Sequence, residues 1–192
     1  MTGTVTPLED GLLERLRAGL ATPGSDRADA FASLIDRSLD RSFRLASVIL
    51  GSRDEAEDAV ADASLRAWQH VASLHDPGRF DAWFTRIVVN VCRDRLHDRA
   101  RRPNVLAVDP PAPGDDFGAS IERAALHQAL ATLTAEHRAV VALHYLEGLT
   151  TEQIAAQLGL RDGTVKSRLH YGVRELRAAY EAAARASEGA VR

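Results

Sequence analysis

Cysteine is almost missing from this 192-residue chain, where Cys92 stands alone. A single thiol makes neither a disulfide framework nor a cysteine zinc site within the chain. Aromatic residues account for only 5% of the sequence, so a core has to be built mainly from Leu, Val, Ala and Ile. There is no run of about 18 apolar residues and no apolar segment near the N-terminus, which argues against a membrane span or secretion signal and for a cytoplasmic protein. A P-loop, a hydrolase serine elbow and a metal-spaced set of histidines are also missing. The sequence therefore predicts no catalytic residue, no metal and no cofactor. Lysine is reduced to Lys166, and every other long cationic side chain is arginine.

Hydrophobic residues make up 45% of the chain, enough for real cores. Abundant alanine and leucine with little clustering of β-branched residues point to an all-α protein. The net charge of −3 does not by itself indicate a polyanion ligand, but its distribution is uneven. Residues 53–62 carry five acids against one arginine, residues 93–102 five arginines against two aspartates, and residues 161–177 five basic groups against two acids. Clusters of opposite sign suggest separate binding surfaces, at least one of them for a polyanion. Solvated helix faces would produce such clusters as well.

The chain divides by composition. Residues 1–27 read as an N-terminal extension with a short amphipathic helix, on which Leu8, Leu12, Leu13, Leu16 and Leu20 form one stripe. Residues 28–102 read as one helical unit. Its first helix carries Phe31, Leu34, Ile35, Leu39, Phe43, Leu45, Ala46 and Ile49. The second, from about Asp54 to Ala72, turns Ala56, Val60, Ala67, Trp68 and Val71 inward. A turn-rich loop over 74–79 leads to a third helix from about Phe80. Residues 103–118, with four prolines and three aspartates, read as an extended linker. A second helical unit spans 119–186, with helices over about 121–132 and 135–147 and a last helix reaching about Tyr180, and 187–192 is a tail.

The most informative stretch runs from Leu149 to Leu169. Thr150 and Gln153 have capping-box spacing. Ile154 and Leu158 share a helix face, Ala155 is small where two helices must cross, and Gly159 suits a left-handed helix end. Leu160, Val165 and Leu169 resume the buried face. This predicts a helix-turn-helix with a basic second helix, the element that enters a DNA major groove. An αα-hairpin of a plain bundle would share the periodicity but has no need for all four signals together.

Taken in chain order, the motifs resemble the extracytoplasmic-function (ECF) sigma factors of bacterial RNA polymerase over roughly residues 28–180. They are Asp54-Glu55-Ala56-Glu57-Asp58-Ala59-Val60 with Leu65-Arg66-Ala67-Trp68; Phe80-Asp81-Ala82-Trp83-Phe84-Thr85-Arg86-Ile87 with Asn90; Leu130-Ala131-Thr132-Leu133 with Arg138; and Gly148 through Leu169. The resemblance implies two small helical domains and a factor that binds core polymerase through the β′ clamp and β flap. It implies recognition of −10 and −35 promoter DNA, and it leaves room for an anti-sigma partner. A stand-alone helix-turn-helix regulator would need neither the acidic second helix nor the 28–102 unit.

By this resemblance, Asp58, Asp62, Arg66 and Trp68 lie near the polymerase clamp, with Trp68 equally readable as core. His75, Arg79, Phe80 and Asn90 lie near the displaced −10 strand, with Phe80 and Trp83 also readable as core. Arg93, Arg95, Arg99, Arg101 and Arg102 neutralise phosphates there. At the −35 element, helical spacing from Val165 and Leu169 projects Lys166, Ser167 and His170 outward toward base edges. Arg161, Thr164, Arg168 and Arg174 hold phosphates. The chain departs from the family pattern at Ala61, Ser64, His97 and Tyr171-Gly172-Val173.

Overall fold

A computed structural model of the protein describes Glu14 and residues 17–20, 24–101 and 117–190, with 117–123 and 187–190 described by backbone alone. Every regular element among the described residues is helical. The first unit is built from α1 (Ser25–Leu50), α2 (Arg53–His70) and α3 (Phe80–Arg101), with single 3₁₀ turns at Val71–Ser73 and Pro77–Arg79 before α3. The second contains α4 (Phe117–Thr132), α5 (Ala135–Tyr145), α6 (Thr151–Leu158) and α7 (Asp162–Ala190).

The local signals explain where these helices begin and end. On α1, Leu34, Ile35, Leu45, Ala46 and Ile49 are buried at helical spacing, and Gly51 closes the helix at φ 73°, its N–H donating to Ser47 O. The left-handed conformation costs glycine nothing because it has no Cβ. Ser52 then opens α2 by accepting from the Glu55 N–H. Asp76 does the same at the turn before α3, accepting from the Gly78 N–H at 3.0 Å with Pro77 at the first turn position.

Alanines 56, 59, 63 and 67 form the buried face of α2, which lets that helix lie close against α1 and α3. Trp68, predicted to turn inward, is instead 39% exposed; it meets the edge of Phe31 at 5.2 Å, and Val71 fills the buried position one turn on. The few aromatics are concentrated at this end of the unit. Phe80 stacks on Phe84 at 5.5 Å and lies 5.7 Å from Trp83 and 6.1 Å from Phe31. Of the N-terminal leucine stripe, only Leu20 is among the described residues; it is buried in the same core, and its carbonyl accepts from Arg27 Nε.

The predicted helices of the second unit are all present, with shifted ends. The helix expected from about 121 starts at Phe117, inside the segment expected as linker to 118, and the last helix runs to Ala190 rather than Tyr180. The continuation is alanine-rich, with high intrinsic helix propensity. The rest of the proline-acid segment lies outside the described residues.

The two units share one apolar core. Helix α5 packs on α1 and α3, and α6 packs on α3. Arg138, on α5, is 4% exposed at this junction. Its Nη1 donates to Ile49 O at 2.8 Å, and its Nη2 to Ala131 O at 3.0 Å and Leu133 O at 3.1 Å. These carbonyls lie at or just beyond the C-terminal turns of α1 and α4, where the helices leave acceptors without intrahelical donors. Burial, with a smaller push from the Arg99 charge, brings the Arg138 guanidinium down to about 10, still charged at neutral pH. Arg138→Ala would leave three backbone acceptors, two of them buried, without this donor. It is expected to lower unfolding free energy by about 2–4 kcal/mol, and Arg138→Lys to restore only part, as read by urea denaturation.

Candidate nucleic-acid interface

Three surfaces carry the residues singled out by sequence. The first is the acidic face of α2. Asp58 and Asp62 are exposed there, one turn apart, and Arg95 reaches across from α3 to both, at 3.9 Å and 2.5 Å. Arg66 pairs with Asp94 at 3.4 Å. Leu65 and Trp68, at 59% and 39% exposure, add apolar surface beside these charges. The clamp-type acids and an arginine expected on DNA thus sit in one ion-pair network. Pairs this exposed are worth little in water and exchange readily for another partner.

The second surface is the loop and basic helix expected at the −10 element. His75, Arg79 and Asn90 are exposed. Phe80, expected near the displaced strand, is 1% exposed inside the aromatic cluster. It supports the loop from beneath and offers no ring face to a base. Arg101 is exposed, 3.9 Å from Asp98, and Arg102 lies outside the described residues. Arg99 is engaged within the first unit. Its Nη2 donates to Leu50 O at 3.1 Å, and its Nη1 meets both oxygens of Glu55 at 3.4 Å. It caps the C-terminus of α1 beside Arg138, where cations are favoured.

Arg93 and His97 point to the second unit, 3.4 Å and 3.0 Å from Glu136 in the first turn of α5. Burial pushes the Glu136 carboxyl up. Its own backbone N–H, the His97 hydrogen bond, and the charges of His97 and Arg93 outweigh that and hold it below its ordinary 4.5. A carboxyl lowered on folding stabilises the fold fully above its unfolded pKa and loses that contribution as pH falls through the folded value. Stability should therefore turn down below pH 4.5, and Glu136→Gln should flatten that part of the curve, as measured by denaturation at pH 3–6.

The third surface is the helix-turn-helix, α6 and α7. The Thr150 hydroxyl accepts from the Gln153 N–H at 3.2 Å, and the Gln153 side chain accepts from the Thr150 N–H at 2.8 Å. Ile154 and Ala155 are buried, and Gly159 ends α6 at φ 68°. A side chain at Gly159 would also come within 3.1 Å of the Arg86 guanidinium of α3. Val165 is fully buried and Leu169 half-buried, which fixes the rotation of α7 and leaves Lys166, Ser167 and His170 exposed on the opposite side. Lys166 lies 2.7 Å from Asp162 and 3.7 Å from Glu152. The Ser167 hydroxyl donates to Thr164 O at 3.0 Å. Arg161 is exposed, while Thr164 and Arg168 are half-buried. Arg174 lies over the Tyr171 ring at 5.0 Å.

Gly172, in the segment that departs from the family pattern, sits where α7 crosses α5, and a Cβ there would meet Val141 at 3.0 Å and His137 at 3.3 Å. His137 also ties the crossing through Glu175 at 2.9 Å. Overpacking here outweighs alanine's better helix propensity. Gly172→Ala is expected to cost about 1 kcal/mol net in a thermal or urea melt, and Gly172→Leu several times more.

Sequence reasoning passed over Glu136 and Glu147, which meet the first unit. Glu147 pairs with Arg41 of α1. No local pattern marks such partners, which lie 106 and 39–43 positions apart.

A two-lobed helical fold, an acidic face on one lobe and a helix-turn-helix on the other, defines a transcription factor of the sigma-70 class. The model of Sigma-70 region 2 matches residues 34–102, and that of Sigma-70, region 4 matches residues 123–176. The ECF RNA polymerase sigma factor SigL of Mycobacterium tuberculosis is 38% identical over 151 residues, 76% of this chain and 85% of SigL. SigW of Bacillus subtilis, another ECF sigma factor, is 29% identical over 167 residues, 78% of this chain and 88% of SigW. Among solved structures, CnrH in complex with the cytosolic domain of CnrY has a TM-score of 0.63 at 25% identity, covering 89% of this chain and 98% of that one. The sigma factor RpoE in complex with the anti-sigma factor NepR, from Bartonella quintana, shares the fold, with a TM-score of 0.65 at 24% identity over 79% of this chain and 96% of that one. The chain belongs to the ECF sigma factors of RNA polymerase. It is a promoter-recognising initiation factor and not an enzyme. No helix among the described residues is long and apolar enough to cross a membrane.

Proposed function

We propose that this sigma factor works in the cytoplasm, with residues 28–102 as its core-binding and −10 domain and 119–186 as its −35 domain. Asp58, Asp62, Arg66 and Trp68 meet the polymerase clamp. His75, Arg79, Asn90, Arg93, Arg95, Arg101 and Arg102 line the path of the −10 strand. Lys166, Ser167 and His170 read −35 base edges, while Arg161, Thr164, Arg168 and Arg174 hold its backbone. An anti-sigma factor is a natural further partner, since RpoE and CnrH were each solved with a bound protein.

The observation that carries the −35 assignment is the rotation of α7. With Val165 buried, the exposed face holds a lysine, a serine and a histidine within about one turn. Lysine donates to guanine O6 and N7, and serine serves several base edges. Arg174, two turns further along, reaches the flanking phosphates. Support for the clamp assignment is the exposure of both aspartates on α2, paired with Arg95 in a surface contact that a basic partner can displace.

Two experiments test these assignments. Asp58→Asn with Asp62→Asn is expected to weaken binding to purified core polymerase about tenfold at low salt, mainly through slower association. Unchanged core affinity would refute the clamp assignment. On a library of −35 sequences, Lys166→Ala should cost about 1–3 kcal/mol at the preferred site and relax preference at one or two positions. Arg174→Ala should weaken all sequences about equally and reduce the salt slope by roughly one unit. The opposite pattern would refute the orientation assigned to α7.

A further inference from the structure

Tyr171 is an aromatic side chain left 46% exposed on α7, in the segment that departs from the family pattern. Its ring carries the Arg174 guanidinium at 5.0 Å from the centroid and meets the His170 ring in an edge-to-face contact at 5.3 Å. Among the described residues no carboxylate pairs with Arg174. Glu175, its neighbour in the chain, is turned to α5, where it meets His137 at 2.9 Å. Helix geometry places these groups together. Tyr171 lies four residues beyond Ser167 and three before Arg174, so all three share one exposed face, opposite buried Val165. Gly172 lets α7 seat closely against Val141 and His137 of α5, which fixes where that face points.

We propose that Tyr171 is a positioning residue of the −35 interface, holding the Arg174 guanidinium ready for a backbone phosphate. This role rests on the reading of Arg174 as a phosphate contact. An arginine stacks through the face of its guanidinium, while its N–H groups lie in the plane. Stacking and phosphate contact therefore use different parts of the group, and the stack need not break when DNA arrives. Side chains on a helix also lean toward its N-terminus. Arg174 follows that rule by reaching back over residue 171, which carries its charge toward Lys166 and Ser167, the end of a recognition helix that enters the groove. Without the ring, a long arginine spreads over many rotamers, and binding has to select the few that reach a phosphate. The apparent affinity scales with that competent fraction. An exposed cation–π contact can raise it by about two- to fivefold. The gain applies to every −35 sequence alike, because phosphates carry no sequence information. Tyr171 touches no base in this role and acts through Arg174.

The test uses the full chain in complex with purified core polymerase, on promoter DNA with a randomised −35 element. Tyr171→Leu, Arg174→Ala and the double variant form a cycle. Tyr171→Leu removes the ring and keeps a good helix former. It is expected to weaken binding by about two- to fivefold at every sequence, with the preference and the thermal melt unchanged. Tyr171→Phe, which keeps the ring and drops the hydroxyl, should recover most of that loss. In the Arg174→Ala background, Tyr171→Leu should cost nothing further. If it costs as much there as in the parent chain, or if it tightens binding in the parent chain, the positioning role is overturned while the reading of Arg174 stands. A loss equally large in Tyr171→Phe would assign the effect to a hydroxyl–phosphate contact, and a changed sequence preference would assign it to a base contact. Either result also overturns the proposal. If Arg174→Ala leaves affinity and salt slope intact, the reading of Arg174 fails and the inference with it. Should Tyr171→Leu lower the melt, Tyr171→Gln takes its place in the cycle with the same expectations.

Discussion

The arrangement of the whole molecule hangs on one guanidinium buried against backbone carbonyls. Arg138 extends from α5 into the seam between the units and donates to Ile49 O, Ala131 O and Leu133 O. An isolated buried charge would be very costly. Here the partners are carbonyls at two helix C-termini, where the peptide dipoles concentrate negative potential and the orphan acceptors need donors. Arg99 comes to the same end of α1 from α3 and donates to Leu50 O. Two arginines from different elements thus close one helix end. A lysine has a single ammonium centre and no planar fork, so it would not span two helix ends in the same way.

That seam brings α5 against α3, and with it Glu136 against Arg93 and His97. The same helix face that sequence charge marks for a polyanion is met, in this arrangement, by a carboxylate of the other unit. Surface ion pairs recur elsewhere on the molecule: Arg95 with Asp58 and Asp62, Arg66 with Asp94, Lys166 with Asp162. Each is individually weak and sensitive to salt. Together they orient charged side chains before a partner arrives, without committing them, which suits a protein whose partners are a polymerase and a polyanion.

The helix-turn-helix is rigid where the surrounding charges are exchangeable. Its capping box fixes the start of α6, Gly159 its end, and Val165 the rotation of α7. Gly172 then admits α7 to within contact distance of α5. The base-reading face is therefore held by apolar packing and backbone hydrogen bonds, and only the tips of Lys166, Ser167 and His170 remain to adapt.

Features of local origin are legible in the chain before it folds. The capping box, the glycine ends and the helical periodicity are each encoded within a few neighbouring residues, so the helix-turn-helix and the order of the helices follow directly from them. The outward face of α7 is legible for the same reason, because the position of Val165 sets that of Lys166 through helix geometry alone. Partner choice is not local. Phe80 and Trp68 are both aromatics at helical spacing, yet one is sealed under the loop and the other half faces solvent, because burial depends on which neighbouring helix covers each ring. It took the packed helices to decide that Arg99 caps a helix, that Glu136 meets Arg93 and His97, and that Arg138 joins the two units. These contacts link residues 5 to 89 positions apart, and no sequence period reports a long side chain that crosses between helices to find a carbonyl.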